Sequence, residues 1–390
     1  MACTKNEKYK YYCTSCGLCK ALGKSDLVSD NRGFSHPANY DQDFLAHICP
    51  VAGLQSERLS SQSIWGKNEG VYLGWSSDEL IRKQASSGGI LTSLAIFLLT
   101  ENIVDGVIHI HSDISQAYGN NTVISTSVDE IKSGSGSRYS ISHPLDVIRK
   151  LDETKRYCLI AKPCDISVFR NYSILNPEIK NRIIFTMSFF CMGLPSNDAQ
   201  KRLLEKLECS ADCVSLSYRG NGWPGYATAI DSKGTSHKVT YNESWGKILG
   251  RDLMDYCRYC IDGIGEEADI SCGDAWYIKN GQPDFNEHEG RNVIFARTTL
   301  GDEILKKAYS LGRIVLNDFN DYESYLPVIQ NSQYMRRATL ISRIMGLKVM
   351  RKAYPKYNMS LMKFYGSHIP VRKNIRGFFG MMRRINNGRA

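Results

Sequence analysis

Apolar positions in this chain recur with two periods, and their alternation predicts a layered α/β body. Ile90, Leu91, Leu94, Ala95, Leu98 and Leu99 fall at helical spacing, so the run predicts a buried helix opened by Ser86-Ser87-Gly88-Gly89. Val104 to Ile110 and Thr122 to Val128 read as strands, as do Tyr157 to Ala161 and Ile183 to Phe190. The last two run into Lys162-Pro163-Cys164-Asp165 and Cys191-Met192-Gly193, and open α/β sheets collect their ligands at the carboxyl ends of strands. Near the end, Val371, Ile375, Phe378, Phe379, Met382 and Ile385 recur near a 3.6 period. Arg372, Lys373, Arg376, Arg383 and Arg384 lie between them, which predicts a basic amphipathic helix.

Composition changes this picture little. The 390 residues predict two or three domains at roughly 150 residues each. The longest apolar stretch, Ile90 to Leu99, falls well short of the roughly twenty residues that span a bilayer, so no transmembrane helix is expected. The opening MACTKNEKYKYY has no apolar leader, so a reducing, cytoplasmic setting is expected. In that setting 13 Cys point to metal or catalysis rather than to cross-links.

Charge changes it more. From Asn331 to Ala390 there are 14 Lys/Arg and no Asp/Glu, which leaves 35 Lys/Arg against 40 Asp/Glu, a net of −5, in the preceding 330 residues. A single-sign block behind an acidic body reads as an appended docking element. Its candidate partners are the chain's own body, an acidic protein or an anionic membrane surface, which would make the protein peripheral at the inner membrane face. The acidic body and the lack of a binding motif argue against nucleic acid.

The sharpest chemical signal is Cys13-x2-Cys16-x2-Cys19 followed by Cys49-Pro50. That is the ligand run of a bacterial ferredoxin-type [4Fe–4S] centre, in which thiolates hold the iron. Zinc is the competing reading, but its thiolate knuckles come as separated pairs, whereas here the middle Cys belongs to both. The polar segment Ser29 to Pro37 reads as strand and turn beside this cluster, in a small domain ending near Trp65.

Ser86 to Gly89 open a helix whose free N–H groups favour a phosphate, although Ser87 could equally serve as a plain N-cap. Ser135-Gly136-Ser137-Arg138-Tyr139 offers backbone and hydroxyl donors and one guanidinium, which suits a phosphate and a flat ring. His109 alternates with apolar neighbours and reads as a packed residue rather than a ligand. Cys158, Cys209, Cys213 and Cys3 are expected to hold no metal.

Lys162-Pro163-Cys164-Asp165, Cys191-Met192-Gly193, Tyr218 to Gly225, Cys257-Arg258-Tyr259-Cys260-Ile261-Asp262, Glu267 to Ile270 and Gly273-Asp274-Ala275-Trp276 resemble, in this order, the coenzyme F420 hydrogenase/dehydrogenase beta-subunit family. Ser86 to Gly89 add to the resemblance, which covers about residues 10–320. It implies a ferredoxin-like N-terminal domain over 1–65 and an α/β flavin domain in two parts, 66–150 and 151–325, holding FAD and a second [4Fe–4S] cluster. Residues 326–390 remain as the basic helical tail. Residue by residue, the resemblance makes Cys164, Cys191, Cys257 and Cys260 the second set of ligands. It lines the flavin with Ser86, Ser87, Gly88 and Gly89, with Ser135, Gly136, Ser137, Arg138 and Tyr139, and with Asn221, Gly222 and Trp223.

Lys162 and Arg138 would offset flavin phosphate charge or an anionic reduced flavin, Asp274 and Asp269 would bind ribose hydroxyls or cap a helix, and Asp165 would deliver a proton. Cys272 stands where the family has an apolar residue and is expected to be a packed thiol.

The family includes deazaflavin-reducing subunits, a plant chlorophyll-cycle reductase and bacterial proteins encoded with surface-polysaccharide genes. The expected function is therefore an iron–sulfur flavoprotein oxidoreductase acting on a small-molecule or glycan-linked substrate, with electrons from ferredoxin, a reduced deazaflavin or a nicotinamide. A non-catalytic electron-transfer subunit and a zinc-stabilised binding protein are the alternatives.

Overall fold

A computed structural model describes residues 7–53 and 62–387, so Cys3 lies outside the described residues. Eight strands form one mixed sheet, in the order Ile314–Asp318, Gly70–Ser76, Asn292–Ala296, Ile270–Asp274, Ile183–Phe189, Tyr157–Ile160, Gly106–Ser112 and Asn120–Ser125. The run from Ile270–Asp274 to Gly106–Ser112 is parallel, and antiparallel strands flank it on both sides. Cys158, Leu159, Phe185 and Met187 are fully buried, as strands covered on both faces require. One face packs on Leu94, Phe97 and Leu98 of helix Ile90–Thr100 and on Ile304 and Leu305 of helix Thr299–Ser310. The other packs on Ile166 and Phe169 of helix Pro163–Leu175, together with Leu18 and Ile48 from the N-terminal segment.

Two local readings differ from the sequence expectation. The strand begun at Asn120 ends at Ser125 rather than Val128, because Ser127 and Glu130 form a reciprocal capping box that starts helix Val128–Ser133. The buried helix is capped by Gly89, in the left-handed region at φ 79°, while Ser87 Oγ donates to Arg291 O at 2.9 Å.

The N-terminal hairpin pairs Leu27–Ser29 with Ser35–Pro37. A three-stranded sheet, Cys213–Ser217, Tyr226–Asp231 and Ser236–Thr240, packs against helix Asn197–Lys206.

The basic tail is not an appendage of this body. Leu340, Ile344, Tyr365 and Met381 share one core with Tyr12, Trp65 and Tyr259. Arg336 and Arg337 are buried, and Arg337 pairs with buried Glu266. Charge counting could not separate these interior arginines from surface ones, because a buried guanidinium pairs with an acid from a distant segment. Helix Val371–Asn386 forms as its periodicity predicts, with Met381 and Ile385 buried. Among the described residues no helix is long and apolar enough to cross a membrane.

Candidate functional site

A cavity of about 270 Å³ opens at the carboxyl ends of the parallel strands, lined by Ala161, Phe190 and Asp274 where the chain leaves the sheet and by Ile110 within its strand. This is the position that a change in strand direction leaves open in α/β sheets. Ser86, Ser87, Gly89, Gly136, Ser137, Arg138, Tyr139, Lys162 and Asp274 all line it. Ser137 N donates to Ser86 Oγ at 2.7 Å, so the two hydroxyl-rich loops are tied together at the wall. Gly88 sits just behind, where a Cβ would lie 2.8 Å from Asn292 Oδ1 and 2.9 Å from Gly74 O. Ser135 meets Thr92 through hydroxyls 3.3 Å apart.

Several predicted contacts turn out to be supports rather than walls. Asn221, Gly222 and Trp223 do not border the cavity: Asn221 is exposed, while Trp223 is buried, stacks on Trp276 at 4.4 Å and donates Nε1–H to Asp274 Oδ1 at 3.0 Å. Asp274 is held from the other side by Arg219, at 2.9 and 3.2 Å. Arg138 lines the cavity, but its guanidinium donates to Asn120 Oδ1 and to the carbonyls of Leu216, Ala117 and Gly119, so it fastens a loop instead of presenting free donors. Asp269 bonds Arg170 and Thr186, which makes it a structural carboxylate. His109 lines the wall and bonds Ser125 Oγ at 2.7 Å.

Lys162 Nζ lies 2.7 Å from Asp165 Oδ2 and 3.1 Å from Ser142 Oγ. Burial opposes the lysine's charge, but Asp165 and the thiols of Cys164 and Cys191 outweigh it and raise its pKa. Burial raises Asp165 despite Lys162. The pair forms the floor between the cavity and the cysteines.

Cys164, Cys191, Cys257 and Cys260 line one narrow cleft, together with Thr14, Lys162 and Arg336. Pro163 opens helix Pro163–Leu175 and puts Cys164 in its first turn, at the positive end of the dipole. Burial pushes Cys257 up to about 12 and raises the other three, with neighbouring cysteines adding to it at Cys164, Cys257 and Cys260. Leu194 N–H donates to Cys257 Sγ at 3.3 Å.

The N-terminal quartet repeats this arrangement. Gly17, at φ 89°, turns the chain tightly enough to close the triplet, and a Cβ there would meet His143 Cβ at 2.9 Å. Cys49 is raised well above its ordinary value by burial and then by Cys13, Cys19 and Cys16 in turn. Burial brings Cys13 up to about 12 and Cys19 to about 11. Ser15 N–H donates to Cys13 Sγ at 3.4 Å.

Iron binding would replace the protons of these buried thiols with a cation, and N–H···S bonds are the protein's means of setting a cluster's potential. Among the described residues, no three His, Cys, Asp or Glu close around a point that one metal ion could occupy. All-thiol donors in two buried groups of four are the donor chemistry that thiolate-held iron–sulfur clusters take.

The parts stand in series. Asp165 acts on Cys13 and Cys16 as well as on Cys164, Thr14 lines the cleft of the second quartet, and Cys191 lines both cleft and cavity. Cys272 lies in the cavity wall but not in the cleft, packed with Phe185 and Ile294. Two residues that brace the site were missed from sequence. Arg219 is buried against Asp274, and Arg336 donates to the carbonyls of Cys257 and Cys191. Arg219 sits inside a quoted motif and could have been found there, whereas nothing local marks Arg336.

Family models of the coenzyme F420 hydrogenase/dehydrogenase beta subunit match in two parts, the N-terminal one over residues 71–149 and the C-terminal one over 154–322. The chain is 24% identical over 285 residues to a coenzyme F420 hydrogenase subunit beta from Methanothermobacter thermautotrophicus, spanning 70% of this chain and 93% of that protein. An F420-dependent formate dehydrogenase subunit beta from Methanocaldococcus jannaschii is 26% identical over 213 residues, spanning 53% of this chain and 52% of that protein. The fold is similar to a chain of the F420-reducing [NiFe] hydrogenase complex from Methanosarcina barkeri, with a TM-score of 0.59 at 20% identity, over 76% of this chain and 98% of that one.

Proposed function

This chain belongs to the coenzyme F420 hydrogenase/dehydrogenase beta-subunit family, and on that premise we propose that it is an iron–sulfur flavoprotein. In this reading two [4Fe–4S] clusters stand in series with FAD, and the protein exchanges electrons between a redox partner and a small-molecule or glycan-linked substrate. The observation that carries it is the juxtaposition of two buried thiol quartets with a cavity that shares Cys191 and Lys162 with the second. When bound, the clusters supply one-electron steps and the flavin supplies hydride chemistry.

The chain's own residues do the rest. Ser15 and Leu194 N–H groups donate to the sulfurs of Cys13 and Cys257, which would ligate the clusters, and Arg336 places positive charge beside the second quartet. Lys162, held by Asp165, keeps a cation at the cavity floor, where it favours an anionic ligand. Ser86 and Ser137 keep hydroxyl groups at the wall for a phosphate, the Ser137 N–H being spent on Ser86 Oγ, and the Asp274–Arg219–Trp223 network braces another part of the wall. Packing of Phe190 against Trp65 and Phe295 excludes water behind the site.

A second reading, an electron-transfer subunit without its own substrate, is favoured by the relatives, which are named as subunits. Surface-polysaccharide metabolism rests on the motif resemblance alone.

Anaerobic purification with iron, sulfide, zinc and flavin analysis tests the proposal. The expected result is about eight iron and eight sulfide per chain with one flavin, and absorbance near roughly 400 and 450 nm. A folded, colourless protein, or one carrying zinc, would refute it.

A further inference from the structure

Four arginines crowd one side of the Cys257–Cys260 loop. Arg258 lies between these two thiols in sequence, Arg336 donates to Cys257 O at 3.0 Å and to Cys191 O at 2.8 Å, and Arg343 donates to Arg258 O at 2.9 Å. Arg384 adds a fourth charge from helix Val371–Asn386, whose Met381 Sδ accepts from Tyr259 Oη of this loop at 3.6 Å. Burial first, and then repulsion from Arg336, Arg384 and Arg258, lowers Arg343 to about 10. The bonds these groups make run to backbone carbonyls, and Arg258 Nε is buried without a hydrogen-bond partner among the described residues.

Lys373 and Arg384 are exposed and lie about three turns apart on the same side of that helix. Like charges gathered on one side of a loop repel, and a surface that supplies carboxylates relieves the repulsion. Arg258 and Arg336 stand beside the second quartet, which makes the patch a route for electrons as well as a point of attachment. The exposed apolar stripe that a lipid surface would use, Val371, Ile375 and Phe379, lies on about the opposite side of the helix.

We propose that the face formed by Arg258, Arg343, Lys373 and Arg384 docks an acidic one-electron carrier protein, which exchanges electrons with the cluster at Cys164, Cys191, Cys257 and Cys260. The proposal rests on the iron–sulfur reading above. In each transfer one electron leaves the carrier's reduced centre and enters the cluster, so the carrier is oxidised by one and the cluster reduced by one, with no bond made or broken.

The test is anaerobic stopped-flow reduction of the full chain, followed by bleaching of its iron–sulfur absorbance. The donors are a reduced bacterial ferredoxin of strongly negative net charge and, separately, photoreduced deazariboflavin, which is small and neutral. The variant Lys373→Glu/Arg384→Glu should slow ferredoxin roughly tenfold or more at low salt and flatten its ionic-strength dependence. The deazariboflavin rate should stay unchanged. An unchanged ferredoxin rate, or an equal loss with both donors, would overturn docking at this face. So would loss of binding to phosphatidylglycerol vesicles with the ferredoxin rate intact, which would assign the charge to lipid. A protein without iron absorbance before mixing fails the functional reading itself and takes the proposal with it.

Discussion

Arg337→Met is the most informative stability perturbation, because it asks whether the basic tail is part of the fold. Arg337 and Glu266 are each about 1% exposed at the side chain and form an ion pair, with the guanidinium also 4.2 Å from the Tyr365 ring centroid. Methionine keeps most of the stem's volume but leaves Glu266 buried without its nearest cation. Breaking a buried pair from one side costs about 3–5 kcal/mol, and Arg297 nearby offsets only part of it, so a loss of about 3 kcal/mol at pH 7 is expected. Removing both charges, Arg337→Met with Glu266→Gln, should recover at least half, since no charge is left stranded.

The effect should also depend on pH. Burial raises Glu266 above its ordinary 4.5 even with Arg337 opposing it, so its contribution is full below about 4.5 and declines as pH rises through the folded value. Without Arg337 that folded value rises further, so the penalty should be largest at neutral pH and shrink toward pH 4.5. Urea unfolding of the two single variants and the double across that range, under anaerobic conditions, measures the cycle. A single-variant loss below about 1 kcal/mol, or a double equal to the sum of the singles, would refute the reasoning.

Three further outcomes are expected. Cys257→Ser should lower bound iron from about eight to about four per chain, while Cys272→Ser, a packed thiol outside the cleft, should leave it unchanged; iron analysis distinguishes them. Gly88→Ala places a methyl group 2.8 Å from Asn292 Oδ1 and 2.9 Å from Gly74 O, so it should cost about 1–3 kcal/mol and reduce retained flavin, and unchanged melting with full flavin would contradict it. Burial, with His111 adding to it, lowers His109 to about 4 from its usual 6.5, so its contribution is present above 6.5 and lost as pH falls toward 4. His109→Gln should therefore flatten acid destabilisation over that window, by up to about 3 kcal/mol, in unfolding curves against pH.

By itself the amino-acid sequence determined what repeats at short range. The helix from Ile90, the strands before Cys164 and Cys191, the terminal helix from Val371 and the Cys13 triplet all show as spacings within one or two turns of chain. Such patterns are legible because period and burial go together locally. The sheet order, by contrast, was decided only in three dimensions: it puts Gly70–Ser76 beside Asn292–Ala296 and so brings Asn292 behind Gly88.

Arg138 and Trp223 show the same limit at the site. Their residue types suit ligand contact, yet carbonyls from other segments engage Arg138 and Asp274 engages Trp223, so they act as supports. Arg336 and Arg337 mark it most clearly. Within their own segment they are ordinary basic residues, and only the return of the tail across the body brings them against Cys257 O and Glu266. Burial of a charge is settled by which partner it meets, and that partner lies far away in the chain.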